Sequence, residues 1–224
     1  MDEAAQSPYP AAGGKADSVT ALAAGRHALD LLSITHVRDR DTREEWDLAT
    51  RVLALASVEV TDEGATTLAL RPCRVTLPEI GGHQPWLPAE TVALVAPAVV
   101  LVEQETNDDG TVQLRTGPAV FDLGRDEAGS VLDQDQDGQP GITVRVSFFS
   151  VYVALRLEAT LRGGAAGGTA RITLEQAILG DNIPFYDAAA QATEAQAQSE
   201  VLWTDHRFTL EPTVAGSCLE MSPD

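Results

Sequence analysis

Residues 46–60 read WDLATRVLALASVEV. Trp46, Leu48, Val52, Ala54, Ala56, Val58 and Val60 recur at every second position, with Thr50 the polar exception, while Asp47, Arg51, Ser57 and Glu59 fall between them. Successive side chains of an extended chain point to opposite sides, so a period of two makes one face core and the other mostly wet. The stretch reads as a long, half-buried β-strand.

The same alternation runs outward in both directions, and helical periodicity is nearly absent. Upstream, His27 to Val37 forms an earlier strand, joined to the first through the solvated charge cluster Asp39 to Glu45. Downstream, Asp62-Glu63-Gly64 turns the chain into Thr66 to Leu77, and Asn107-Asp108-Asp109-Gly110 turns a strand over Thr91 to Glu105 into one over Thr111 to Leu123, as these turn-forming residues favour. From Ile142 the inward set is Ile142, Val144, Val146 and Phe148, but beyond it becomes Phe149, Val151, Val153, Leu155 and Leu157. A parity flip within one strand predicts a β-bulge near Ser147 to Ser150. Gly163 to Gly168 reads as a hairpin tip leading into Thr169 to Leu179, Tyr186 to Glu200 as the single short helix, and Val201 to Glu211 as the last strand. About eight strands in up-and-down order predict an all-β fold, an antiparallel, lipocalin-like up-and-down β-barrel, with a β-sandwich as the alternative. The expected division is a disordered leader over 1–16 and a single β domain over 17–224.

Composition sets limits on function. With 15 basic against 34 acidic residues the formal charge is −19, which repels nucleic acid and anionic lipid and suits divalent cations, basic partners or plain solubility. The longest apolar run, Thr91 to Val102, is broken by Pro97 and falls short of the ~18 to 20 residues of a membrane helix. The Ala/Gly/Pro/Ser character of Met1 to Ala16 reads as the stretch left once a signal sequence has been removed, implying a secreted, periplasmic or lipid-anchored protein; a cytoplasmic one is the alternative. Cys73 and Cys218 lack CxxC spacing, which argues against zinc, and export would let them form one disulfide tying the tail to an early strand.

The most specific chemical signal is DQDQDGQPG, Asp133 to Gly141. Three carboxylates at alternate positions can converge on one cation as the backbone wraps around it. Calcium suits such a site because it accepts six to eight hard oxygen donors, and Gly138 permits the sharp turn. The expected ligands are Asp133, Asp135, Asp137 and the backbone carbonyl of Gln139, with Asp126, Glu127 or the Thr143 hydroxyl supplying a further donor and Gln134 and Gln136 pointing outward. The loop resembles those of EF-hands, dockerins and thrombospondin type 3 repeats, all built on DxDxDG. It departs from the EF-hand at position twelve, where Val144 replaces the bidentate Glu. Together with ITVRV and VYVALRLEATLRG beyond it, the loop also resembles that of uncharacterised secreted or lipoprotein β proteins of myxobacterial type, a likeness that implies export and a calcium loop but no chemistry. Gln136 stands where their usual DxDGDGxPGxT has Gly, and Ile142 precedes the Thr.

Catalytic motifs are missing. His27, His36, His83 and His206 show no HExxH spacing, and neither a GxSxG elbow nor a phosphate-binding glycine loop occurs. His206 and Gln176 fall on inward faces by parity and are the candidate ligand-binding residues. The sequence thus supports an exported, calcium-stabilised barrel binding an apolar small molecule or lipid. A cell-surface structural or adhesion module and a barrel-type cyclase or isomerase are the alternatives.

Overall fold

A computed structural model describes residues 22–79, 85–108, 111–126, 128–184 and 187–221; the leader over 1–16 lies outside them. The described chain is all-β, with ten antiparallel strands in one sheet: β1 Gly25–Asp39, β2 Glu45–Val60, β3 Thr66–Thr76, β4 Ala98–Thr106, β5 Val112–Thr116, β6 Ala119–Leu123, β7 Ile142–Val146, β8 Phe149–Gly164, β9 Gly167–Asp181 and β10 Ser199–Pro212. Sequential strands pair from β1 to β5 and from β7 to β10, and β10 returns to pair with β1. At the other end β5, β6 and β7 take successive stretches of one edge of β8 and together act as a single wall segment. The sheet therefore closes as an up-and-down barrel of eight wall positions, as the alternation predicts.

Inward residues build one core. Leu29, Leu31, Val52, Ala54, Ala56, Leu68, Leu70, Leu155, Leu157, Leu161, Phe208 and Leu210 are all buried in it. Each large side chain so placed contributes about 1.5–3 kcal/mol relative to exposure. Close approach at the β8–β9 hairpin and its contact with β10 requires glycine: a Cβ on Gly163 would meet the backbone of Gly167 and Gly168, and one on Gly167 the carbonyl oxygen of Phe208.

Several expectations are corrected. The strand expected from Thr91 begins only at Ala98; before it, Ala89–Ala93 forms a short helix α1 that buries Thr91 and Val92. Gly117-Pro118 divides the expected Thr111 to Leu123 strand into β5 and β6, since proline removes a ladder donor. The parity flip at Ser147 to Ser150 is a two-residue hairpin turn rather than a bulge. Val146 pairs with Phe149, and Ser147 takes the left-handed φ of 55° that the turn requires. No Gly or Asn signalled it. Bulges lie elsewhere, at Cys73, Leu179 and Leu202, each skipped in the pairing register. The helix α2 spans Ala188–Gln198, with the Asp187 carboxylate accepting from the Ala190 N–H as its N-cap.

The bulge at Cys73 serves the covalent tie. Cys73 and Cys218 form a disulfide with their Cα atoms 5.0 Å apart. The tail after β10 is further held where Thr213 N–H donates to the Arg26 carbonyl, which continues the β10–β1 ladder by one residue before the tail reaches Cys73 of β3. No helix among the described residues is long and apolar enough to cross a membrane.

Candidate metal centre

The acidic loop begins where β6 ends. Gly124 and Gly141 take φ values of 69° and 92°, in the region that favours glycine, and both press on β8. A Cβ on Gly124 would lie 2.7 Å from the Val153 carbonyl oxygen, and one on Gly141 would collide with that same atom. The loop base is then stitched by Leu132 N–H to Gly124 O (2.9 Å), Gly141 N–H to Leu132 O (2.8 Å) and Gln134 N–H to Gly141 O (3.1 Å). Gln134 does not point outward as expected. Its Oε1 accepts from Gly124 N–H and its Nε2 donates to Leu94 O, so it locks the loop to two neighbouring segments. Gln136 is exposed, with a left-handed φ of 58° that helps curl the loop.

On this frame Asp133, Asp135 and Asp137 converge, each offering a carboxylate oxygen within 4.8 Å of the others. Internal donors hold most of these oxygens. Asp133 accepts from the N–H groups of Asp137 (3.1 Å) and Gly138 (3.0 Å), Asp137 from Gln139 N–H (2.9 Å), and Asp135 Oδ2 from Thr143 N–H (2.8 Å). The Thr143 hydroxyl donates to Asp137 Oδ2 at 2.5 Å, which places it within the group. One oxygen stands apart: Asp135 Oδ1 is shut off from solvent and has no partner. An ionised oxygen without water or a donor is costly, and a cation is the natural group to satisfy it. Three clustered carboxylates repel one another, a cost that bound positive charge would remove.

The other candidate donors take different positions. Asp126 caps its own turn, accepting from Ser130 N–H at 2.8 Å, and is outside the carboxylate group. Glu127 lies outside the described residues. Gln139 is exposed at the tip, with its N–H turned to Asp137. The sequence spacing therefore identified the three aspartates, whereas the roles of Thr143 and Gln134 depend on where β7 and the α1 segment bring their atoms.

His206 and Gln176 belong to a different part of the barrel. The ladder between β9 and β10 contains only Arg207, Phe208 and Thr209 against Thr169, Gly168 and Gly167. Beyond it the two strands part, and α2 links their far ends. Inward residues of β9 are consequently open to solvent: Leu174 is 40% exposed and Gln176 is exposed. Behind this seam lies an apolar recess bordered by Leu31, Ser33, Val52, Leu157, Ile172 and Leu174. Its free volume is about 20 Å³, room for about one water. His206 reaches the same region through Nδ1, 2.9 Å from Ser33 Oγ. Burial pushes its pKa below 6.5, against the opposing pull of Asp205, so the neutral imidazole is favoured. Gln176 sits opposite Leu155 in the ladder, and no hydrogen bond joins it to His206.

Comparison with protein-family models, with curated proteins and with solved structures finds no match for this chain.

Proposed function

We propose that the protein is an exported, calcium-stabilised β-barrel that takes up a small apolar molecule through the seam between β9 and β10. The observation that carries the metal half is the partnerless, solvent-shielded Oδ1 of Asp135 within a group of three carboxylates. An all-oxygen donor set with a flexible number of ligands suits calcium better than zinc or copper. Asp133, Asp135 and Asp137 hold the ion, with the Gln139 carbonyl and the Thr143 hydroxyl completing the shell. Val144, where an EF-hand carries its bidentate Glu, leaves the ion a clamp between the loop and β7 rather than a sensor that moves helices. Export is supported by the disulfide, which persists in oxidising compartments.

The apolar half rests on Leu174 and Ile172, inward residues left accessible by the open seam. Since the recess holds about 20 Å³, a guest larger than water has to part β9 from β10, where only a three-residue ladder resists it. That same packed interior favours a second reading, a structural or adhesion module whose core is simply full.

Calcium titration of chelator-treated protein, followed by melting temperature and calorimetry, tests the metal. Saturable heat and a rise in Tm are expected, and neither appearing at millimolar calcium would sink the assignment. A fluorescent fatty acid tests the seam. Uptake by the wild type that is lost in Leu174→Asp supports it, and no uptake by the wild type leaves the structural module.

A further inference from the structure

The outer face beside the β8–β9 hairpin gathers four arginines from four neighbouring wall strands and the hairpin between them. Across the barrel wall the register aligns Arg115 of β5 with Arg162 of β8, Arg162 with Thr169 of β9, and Thr169 with Arg207 of β10. Arg171 lies two residues along β9 from Thr169, on the same face. All four arginines have outward parity, since Leu114, Leu161, Ile172 and Phe208 beside them belong to the core or pack against it. Arg115, Arg162 and Arg171 are exposed, and Arg207 is half-buried.

In a chain of formal charge −19 a surface arginine has carboxylates to choose from. The ion pairs among the described residues nevertheless employ Arg38, Arg51, Arg125 and Arg156 instead of these four. Arg115 and Arg162 even stand directly opposite each other, an arrangement that destabilises a sheet. The hairpin tip they flank, Gly163-Gly164-Ala165-Ala166-Gly167-Gly168, raises nothing larger than a methyl group above the row. The result is an open basic strip that follows the curve of the barrel wall over three interstrand spacings of ~4.8 Å, about 14 Å along the surface.

We infer that this strip binds an anionic polysaccharide. Guanidinium groups pair well with carboxylates and sulfates. The partner's charge density is set by the surroundings, because Glu103 opposite Arg115 and Asp205 beside Arg207 border the strip and the wider surface is acidic. A dense polyanion such as nucleic acid, or a continuous anionic bilayer, would meet that acidic surface within a Debye length of about 8 Å. A sugar chain with a charge on every residue or two can place its anions on the arginines alone.

Polygalacturonate oligomers, with neutral dextran for comparison, are titrated into the full chain at low salt. Chelator is present throughout, so that binding is independent of the calcium proposal. The wild type is expected to bind the polyuronate, with affinity falling as salt rises, and to ignore dextran. Both R115Q/R162Q and R171Q/R207Q should weaken binding by more than about tenfold, while R71Q/R74Q, which removes equal charge from the exposed part of β3, should leave it unchanged. Thermal melting confirms that each pair of substitutions leaves the fold intact, and two independent strip variants guard against one failing to fold. No polyuronate binding by the wild type, equal weakening by R71Q/R74Q, or tighter binding to single-stranded DNA or phosphatidylglycerol vesicles would each overturn the assignment.

Discussion

The two sides of the barrel are held together very differently. On one, β1 and β2 pair without interruption from Gly25 opposite Val58 to Arg38 opposite Glu45, and β1 pairs with β10 almost as extensively. On the other, β9 meets β10 only through Gly167, Gly168 and Thr169 and then diverges. The difference is written in local chemistry. The β1–β2 hairpin is a direct reversal whose turn is fastened by Asp39 accepting from the N–H groups of Asp41 and Thr42. Between β9 and β10 the chain inserts α2, whose Asp181 and Asp187 caps hold the strand ends to the helix rather than to each other. A closed barrel thus keeps one weak joint, and the joint lies where inward residues are exposed.

The strongest way to break this arrangement is at the firmly packed side of the acidic loop. Gly141→Ala forces a Cβ into the Val153 carbonyl at a φ of 92° and is expected to cost about 3 kcal/mol or more. Urea unfolding measures it, and a loss under about 1 kcal/mol would mean the loop is not pressed on β8 as described. Replacing both cysteines by serine should remove about 2–5 kcal/mol by freeing the tail from β3, read in the same assay with and without reductant.

Hydrogen exchange addresses the seam itself. Amides of β9 beyond Ala170 that have no β10 partner should exchange about a hundredfold faster than those of β1; uniform protection along both would show the joint to be no weaker than the rest. Asp135→Asn sharpens the metal reading at a smaller scale. An amide can donate to the neighbouring carboxylates, so the metal-free protein should gain about 1 kcal/mol while calcium affinity falls more than about tenfold. Destabilisation of the metal-free form would count against an orphaned oxygen.

The mildest effect concerns His36 on the firm side. It stacks on Trp203 with ring centroids 4.9 Å apart, and its two nitrogens contact Asp47 at 2.6 Å and Glu45 at 3.1 Å. These hydrogen bonds, Asp47 first, raise its pKa above 6.5. A raised folded pKa means the stabilisation is complete below the unfolded value of about 6.5 and is lost as pH rises through the folded one. His36→Gln should therefore be more destabilising at pH 5.5 than at pH 8.5, and an equal penalty at both would remove the imidazolium from the account.

Strand identity was readable because burying one face of an extended chain leaves a period of two, as at 46–60, without help from any distant residue. The spacing of Asp133, Asp135 and Asp137 was readable for a similar reason: alternate positions in a curled loop share a side. The hairpin at Ser147 was hidden because a turn and a bulge produce the same parity flip, and only the partner strand distinguishes them. Likewise α1 replaced an expected strand because burial of Thr91 and Val92 outweighed a run of apolar residues that is compatible with either form.

Alternation and turn chemistry alone thus determined the class of fold, most of its strands and three carboxylates of one loop, since these depend on neighbours a few residues apart. Tertiary structure decided the rest: the open seam between β9 and β10, the entry of Thr143 and Gln134 into the loop's hydrogen bonding, the orphaned oxygen of Asp135, and the alignment of Arg115, Arg162 and Arg207 across four strands. Each is set by ladder register, which joins residues distant in the chain and is established only when the whole barrel closes.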